Sequence, residues 1–159
     1  MPAPQSAHCF LPDDAATTAL AELLALHLRP GDTLLLSGGI GAGKTHLARA
    51  FIQAKLGRAE DVPSPTFTLV QTYEAADCEI WHADLYRLSH PDEVLELGLD
   101  SAFQTAICLI EWPDRLGDLA PPFALRLALS ISEDGRDAVF TGGRAGLLDQ
   151  LQAALAQNG

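Results

Sequence analysis

Eight consecutive residues in the first third of the chain have the types and spacing of a phosphate-binding loop. The segment GGIGAGKT, residues 38–45, matches the pattern GxxxxGK[ST]. Glycines permit positive φ angles and bring backbone N–H groups within bonding distance of phosphate oxygens, and the following helix points its positive dipole end at the same phosphates. Lys44 can bridge the β- and γ-phosphates, and the Thr45 hydroxyl can bind Mg²⁺. The segment therefore predicts a nucleotide site with Mg²⁺.

The residues that we expect to bind the nucleotide occupy this motif and the first helical position after it. They are Gly38, Gly41, Ala42, Gly43, Lys44, Thr45 and His46. We expect the His46 side chain to pack or to lie on the surface rather than to catalyse. Guanine-specific proteins usually carry an NKxD element, and none is present, because Lys55 is the only other lysine and Leu56 follows it. The sequence thus favours ATP as the nucleotide.

Two acidic residues end apolar segments in a way that suits a metal-dependent hydrolase. Glu111 closes the run AICLIE at residues 106–111, and Asp84 closes the shorter run IWHAD at residues 80–84. A phosphate-binding loop needs a carboxylate at the end of a neighbouring strand to hold the Mg²⁺ shell. We therefore predict Lys44, Glu111 and Asp84 as catalytic residues, with Thr45 and Glu111 at the metal. Asp84 would assist the metal or orient the attacking water, and a surface acid is the alternative.

Three further side chains have both a functional and a structural interpretation, and a fourth has a structural one. Thr66, in the segment SPTFT, would lie in a loop that folds over the γ-phosphate, or in an ordinary proline-rich turn. Arg87 would neutralise charge on phosphate or form a surface salt bridge. Trp112 would cover the nucleotide or pack in the core, whereas His82 is expected to be a core residue.

The pattern of apolar residues predicts the elements that position these side chains. A strand at 33–37 with an uninterrupted apolar run precedes the glycine loop, and a helix at 44–56 follows it, which indicates an α/β fold. We predict one domain over residues 1–159: a three-layer P-loop NTPase fold with a mixed, mostly parallel central sheet and a C-terminal antiparallel hairpin. The remaining predicted elements are a strand at 8–11, a helix from Asp13, an extended segment leading to 72, strands at 79–86 and 106–112, a helix at 92–97, hairpin strands at 123–132 and 136–141, and a helix at 144–156.

Composition argues against several other classes of protein. The net charge is −11 with scattered arginines, so direct nucleic-acid binding is disfavoured. No apolar run approaches the roughly 18 residues that span a bilayer, and the first residues lack a signal-peptide pattern. Three cysteines, an odd number at wide spacing, fit a reducing compartment. We expect a soluble, cytoplasmic protein that contacts no membrane.

Several segments together resemble a known family. The glycine loop occurs in order with SPTFTLV at 64–70, HADLYRL at 82–88, LGL at 97–99 and IEWP at 110–113. This set resembles the TsaE family, formerly YjeE, of bacterial ATPases required for threonylcarbamoyladenosine (t6A) formation at position 37 of tRNAs that read ANN codons. The resemblance extends from the first helix to about residue 116. Members commonly carry an acidic residue where this chain has Gly39 and a hydroxyl residue where it has His46.

The resemblance implies specific partners and roles. The family acts with the TsaB–TsaD pair and resets it between turnovers by hydrolysing ATP, so tRNA would be reached only through these partners. Lys44 and Thr45 would hold phosphate and Mg²⁺, Asp84 and Glu111 would be the acidic catalytic or metal-shell residues, and Thr66 would lie in the switch-like loop. A small-molecule or nucleoside kinase and a nucleotide-dependent regulatory switch are the alternative functions.

Overall fold

The structure, a computed structural model, describes residues 6–39, 42–57, 62 and 69–158. It contains a seven-stranded mixed sheet in the order β1-β7-β6-β2-β5-β4-β3. The four central strands β6, β2, β5 and β4 run parallel to one another, and β1, β7 and β3 pair antiparallel with their neighbours. The strands are Ala7–Leu11 (β1), Thr33–Ser37 (β2), Val70–Glu74 (β3), Glu79–Asp84 (β4), Ile107–Glu111 (β5), Leu125–Ser132 (β6) and Gly135–Gly142 (β7).

Helices cover both faces of the central strands. The helices are Asp14–His27 (α1), Lys44–Leu56 (α2), Glu93–Glu96 (α3), Leu99–Thr105 (α4) and Leu147–Asn158 (α5), with a 3₁₀ segment at Pro113–Leu119. Leu34 and Leu36 of β2 pack in the core beneath α1, α2 and α5, whereas Leu35 packs in a second core beneath α3, α4 and the 3₁₀ segment. Successive side chains of a strand point to opposite faces, so the three central residues of this strand are all leucine because both of its faces are covered.

Local signals explain where the helices beside the glycine loop begin and end. Asp13 caps α1 by accepting a hydrogen bond from the Ala16 N–H at 2.9 Å. Helix α2 begins at Lys44, directly after Gly43, and ends at Gly57, whose φ of +72° closes it in the left-handed region. These boundaries place the N-terminus of α2 at the carboxyl end of β2.

The predicted fold class is confirmed, and the differences concern element ends and short helices. Strand β4 stops at Asp84 rather than at residue 86, because the Asp84 carboxylate accepts the Tyr86 N–H and turns the chain. The helix predicted at 92–97 is present as the shorter α3, and a second short helix, α4, which was not predicted, follows Gly98, whose φ is +83°. The last helix begins at Leu147, three residues later than predicted. No helix among the described residues is long and apolar enough to cross a membrane.

Candidate functional site

Strand register brings the predicted acids to the end of the glycine-loop strand. Leu36, two residues before Gly38, is the register partner of Glu111, and Glu111 is the register partner of Asp84. Because β2, β5 and β4 are parallel, their carboxyl ends meet at one edge of the sheet, where α/β proteins bind ligands. Lys44, Asp84 and Glu111 are all buried at this edge, with 6%, 7% and 2% of their surface exposed.

Close packing accounts for Gly38, whereas the positive φ of the backbone accounts for Gly43. A Cβ atom on Gly38, whose φ is +141°, would lie 2.4 Å from the Leu129 carbonyl oxygen. A Cβ atom on Gly43, whose φ is +101°, would lie 3.4 Å from the Arg136 side chain. Arg136, at the start of β7, also donates a hydrogen bond to Asp14 at 3.2 Å. A guanidinium that the sequence analysis did not single out therefore flanks the loop, since only tertiary pairing brings β7 there.

The Lys44 ammonium is held at the mouth of the loop. It donates a hydrogen bond to the Gly38 carbonyl oxygen at 2.6 Å, and Nζ lies 3.6 Å from the centre of the Trp112 ring. Burial lowers the pKa of Lys44, while the carboxylates of Glu111, Asp84 and Asp114 oppose that shift. The arrangement keeps a cation beside the loop with carboxylates close enough to stabilise its charge.

An unusual backbone conformation places the Trp112 ring over Lys44. Trp112 follows directly after β5 and has a φ of +60°, which few residues other than glycine adopt. Its ring centre lies 4.9 Å from that of Tyr86, at an interplanar angle of 52°. Trp112 is thus half-buried against the site rather than packed wholly in the core, and Tyr86, which is about half-exposed, forms the outer side of this aromatic pair.

A continuous chain of hydrogen bonds runs from the first turn of α2 into the sheet. The Thr45 hydroxyl donates to Glu111 Oε1 at 2.8 Å. The second oxygen of the same carboxylate, Oε2, lies 2.7 Å from His82 Nε2. Both oxygens of a nearly buried carboxylate are therefore bonded, as a buried charge requires.

Asp84 is tied to the adjacent turn. Its backbone N–H donates to the Leu69 carbonyl oxygen at 2.9 Å, and its carboxylate accepts the Tyr86 N–H at 3.1 Å. The Leu85 N–H donates to the Glu111 carbonyl oxygen at 3.1 Å, which joins the ends of β4 and β5. The two carboxylates are consequently held on neighbouring, mutually bonded segments.

The oxygens at this edge suit Mg²⁺. Mg²⁺ is usually held by one or two carboxylates, phosphate oxygens and water rather than by a full set of protein ligands. Thr45 and Glu111 supply a hydroxyl and a carboxylate whose oxygens already lie 2.8 Å apart. The described residues contain no cluster of three or more His, Cys, Asp or Glu side chains that would hold a metal without a nucleotide.

Some predicted residues are brought together and others are not described. Gly41 and Thr66 lie outside the described residues, so their predicted roles stay predictions. His46 lies in the first turn of α2 and directs its side chain to α1, where Nε2 lies 3.0 Å from the Thr18 hydroxyl. Arg87 is exposed on the segment after β4.

A sizeable cleft lies remote from this chemistry. It measures about 680 Å³ and lies at the opposite edge of the sheet, where β2 begins at Thr33. Phe103, Leu119 and Phe123 contribute to its walls. The buried pair Asp32–Arg144, with Oδ1 and Nε 3.0 Å apart, lies at its margin. This cleft and the acidic residues at the end of the glycine-loop strand therefore lie at opposite ends of β2.

Comparison with known proteins gives one consistent family. The sequence profile described as "Threonylcarbamoyl adenosine biosynthesis protein TsaE" matches residues 11–139. A protein named "tRNA threonylcarbamoyladenosine biosynthesis protein TsaE" from Rickettsia felis is 37% identical, with 91% of this chain and 86% of that protein covered. Proteins of the same name from Bacillus subtilis and Haemophilus influenzae are 37% and 35% identical, covering 79% and 80% of this chain and 78% and 84% of their own length.

A solved structure agrees with this result. The crystal structure of Bacillus subtilis YdiB superimposes with a TM-score of 0.79 at 28% identity, covering 99% of both chains. The sequence match and the structural match each include the glycine loop, β4 and β5, which carry the site described above. The chain belongs to the TsaE family.

Proposed function

We propose that this protein is a Mg²⁺-dependent ATPase of tRNA t6A biosynthesis, which acts in the cytoplasm as a single domain over residues 1–159. The proposal rests chiefly on one observation: Lys44, Thr45, Glu111 and Asp84, from three different elements, converge at the end of the glycine-loop strand. Membership of the TsaE family supplies the pathway.

Each side chain has a distinct task in this proposal. Lys44 leaves its hydrogen bond with the Gly38 carbonyl and binds the β- and γ-phosphates, where its charge stabilises the transferring phosphoryl group. Bound Mg²⁺ neutralises negative charge on the phosphates. Thr45 and Glu111 hold the metal shell, and Asp84, on the adjoining strand, orients the attacking water. Hydrolysis then depends on positioning and charge rather than on a covalent intermediate.

The proposed partner is the TsaB–TsaD pair, and tRNA is contacted only through it. A net charge of −11 disfavours direct binding to a phosphate backbone. The half-exposed Tyr86 and the half-buried Trp112 lie beside the nucleotide site, where a protein partner can sense which nucleotide is bound. ATP hydrolysis would then let the assembly complete several rounds of t6A formation.

Phosphate release from ATP, with and without TsaB–TsaD, tests the proposal. The variant is Lys44→Ala, and the matched control is Lys55→Ala, which removes the same charge from the last turn of the same helix. We expect Lys44→Ala to lower turnover at least about 100-fold, because loss of a single donor to the transition state has effects of this size. Lys55→Ala should retain wild-type turnover. Equal turnover for both variants would refute the site.

The products distinguish the alternative functions. Phosphate release without a phosphorylated acceptor, together with multi-turnover t6A formation that requires the wild-type protein, supports an ATPase. Transfer of phosphate to a small molecule would identify a kinase. Nucleotide binding without turnover, even with both partners present, would identify a switch.

A further inference from the structure

His82 is a buried side chain that contacts the site without facing the nucleotide. It lies in β4, has no exposed surface, and stands two residues before Asp84 on the same face of the strand. Its register partner on β5 is Leu109, so Glu111 is its diagonal neighbour. The imidazole therefore reaches the carboxylate of Glu111 from within the sheet rather than from the solvent side.

The hydrogen bonds of His82 define which nitrogen carries a proton. An ionised carboxylate only accepts hydrogen bonds, so Nε2, at 2.7 Å from Glu111 Oε2, must donate. The other ring nitrogen, Nδ1, is buried and has no hydrogen-bond partner among the residues that the structure describes. A proton on Nδ1 would leave a buried donor unsatisfied, whereas a lone pair there costs less. The contacts therefore favour the tautomer with hydrogen on Nε2.

We propose that His82 is a positioning residue that orients the Glu111 carboxylate for the metal. The inference rests on the proposed function of this site. By holding Oε2, the imidazole directs Oε1 toward the Thr45 hydroxyl, which is the side on which Mg²⁺ and phosphate bind. Without that hydrogen bond, the Glu111 side chain keeps only the restraint from Thr45, and either of its two oxygens can accept that bond. Groups that orient a metal-binding side chain commonly alter metal affinity or activity by about 10- to 100-fold when removed.

The test compares three substitutions in the nucleotide-binding protein. His82→Phe keeps a ring and removes the donor, while His82→Gln places an amide N–H near the position of Nε2. Ile80→Val, a fully buried residue on the same face of β4, is the control for a small loss of core packing. The first measurement is the affinity for a fluorescent ADP analogue, once with excess Mg²⁺ and once with EDTA. The second is the concentration of Mg²⁺ that produces half of the difference between these two affinities.

We expect a selective change in the metal dependence. His82→Phe should raise the half-saturating Mg²⁺ concentration about 10- to 100-fold, while affinity in EDTA stays within about threefold of wild type. His82→Gln should recover most of the loss, and Ile80→Val should show none. In a Glu111→Gln background, His82→Phe should add no further change, because the group that it positions no longer holds a charge. An unchanged Mg²⁺ requirement in His82→Phe, or an equal change in Ile80→Val, would overturn the proposal.

A measurement on the wild-type protein is independent of whether His82→Phe folds. Nitrogen-15 NMR of the histidines should show the His82 proton on Nε2, and its signal should shift when Mg²⁺ and ADP are added. A proton on Nδ1 would contradict the proposed hydrogen bond. The binding and NMR measurements require nucleotide binding but not hydrolysis. Absence of ATPase activity would therefore reject the proposed function, whereas the role of His82 would still be tested by these measurements.

Discussion

Two adjacent glycines of the phosphate-binding loop should respond in opposite ways to the same substitution. Gly38 has a φ of +141°, and an added Cβ would meet the Leu129 carbonyl oxygen at 2.4 Å and the Ala42 Cβ at 3.2 Å. Gly39 is exposed, lies outside the left-handed region, and would place a Cβ in open space. Both positions belong to one sequence motif, so only the tertiary environment separates them.

The structure sets the size of the difference. A strained backbone conformation costs about 1–3 kcal/mol and an overpacked contact about 1–3 kcal/mol. The close atom is backbone of β6, which cannot rotate away as a side chain can. We therefore expect Gly38→Ala to lower the free energy of unfolding by about 2–5 kcal/mol. Gly39→Ala should be within about 0.5 kcal/mol of wild type, or slightly stabilising because the unfolded chain loses freedom.

Urea and thermal unfolding of the nucleotide-free protein provide the assay, with tryptophan fluorescence and circular dichroism as independent probes. For a domain of this size, 1 kcal/mol corresponds to about 2–4 °C. Gly38→Ala should thus unfold about 4–20 °C below Gly39→Ala. Overlapping unfolding curves for the two variants would show that β6 does not pack against the loop as described, and the close-approach explanation for Gly38 would be rejected.

Three further predictions concern ionisable groups. Burial lowers the pKa of Lys44 below 10.5, so the folded chain binds that proton less tightly than the unfolded chain does. The free energy of unfolding, compared with that of Lys44→Met at each pH, should therefore rise as the pH increases from the lowered pKa to 10.5. Urea midpoints of the two proteins that run parallel over this range would contradict the prediction. Burial raises the pKa of Cys108 to about 12. A thiol reagent near neutral pH should therefore label Cys9 and Cys78 in the folded protein, but Cys108 only after unfolding. Equal labelling rates for the three cysteines would be inconsistent with the burial of Cys108. Arg144→Leu removes the ion pair of the buried Asp32 carboxylate and leaves it with the Arg29 N–H at 2.9 Å. The free energy of unfolding in urea should fall by about 1–3 kcal/mol, and by less when Asp32→Asn is already present. Additive effects of the two substitutions would exclude coupling between these side chains.

The sequence was most informative where periodicity and fixed spacing coincide. The apolar run at 33–37, the motif at 38–45 and the helical pattern from Lys44 predicted β2, the loop and α2 with the observed boundaries. Asp13 caps α1 through a hydrogen bond to a residue only three positions ahead, so the signal for this helix start is local. Such features are local, so neighbouring residues along the chain contain the whole signal.

Short helices and turns were harder to predict. Helix α4, which follows Gly98, and the 3₁₀ segment after Trp112 were not predicted, because each has only seven residues, too few for a clear periodic pattern. Trp112 itself adopts a positive φ that its residue type disfavours, and packing of its ring on Lys44 and Tyr86 supports it there. The backbone conformation of Trp112 is therefore determined by packing in the folded chain and not by the preference of its residue type.

For the site, residue types alone indicated a phosphate loop with a lysine, a hydroxyl and two strand-ending acids, since that chemistry requires particular groups at particular spacings. Sequence did not show that His82 would bond Glu111, nor that Arg136 would lie against Gly43, because these partners are 29 and 93 residues apart. Those contacts follow from the pairing of β4 with β5 and from the hairpin of β6 and β7. Distant groups meet only after the sheet has formed, and the tertiary structure therefore decided which side chains support the residues that the motif had already identified.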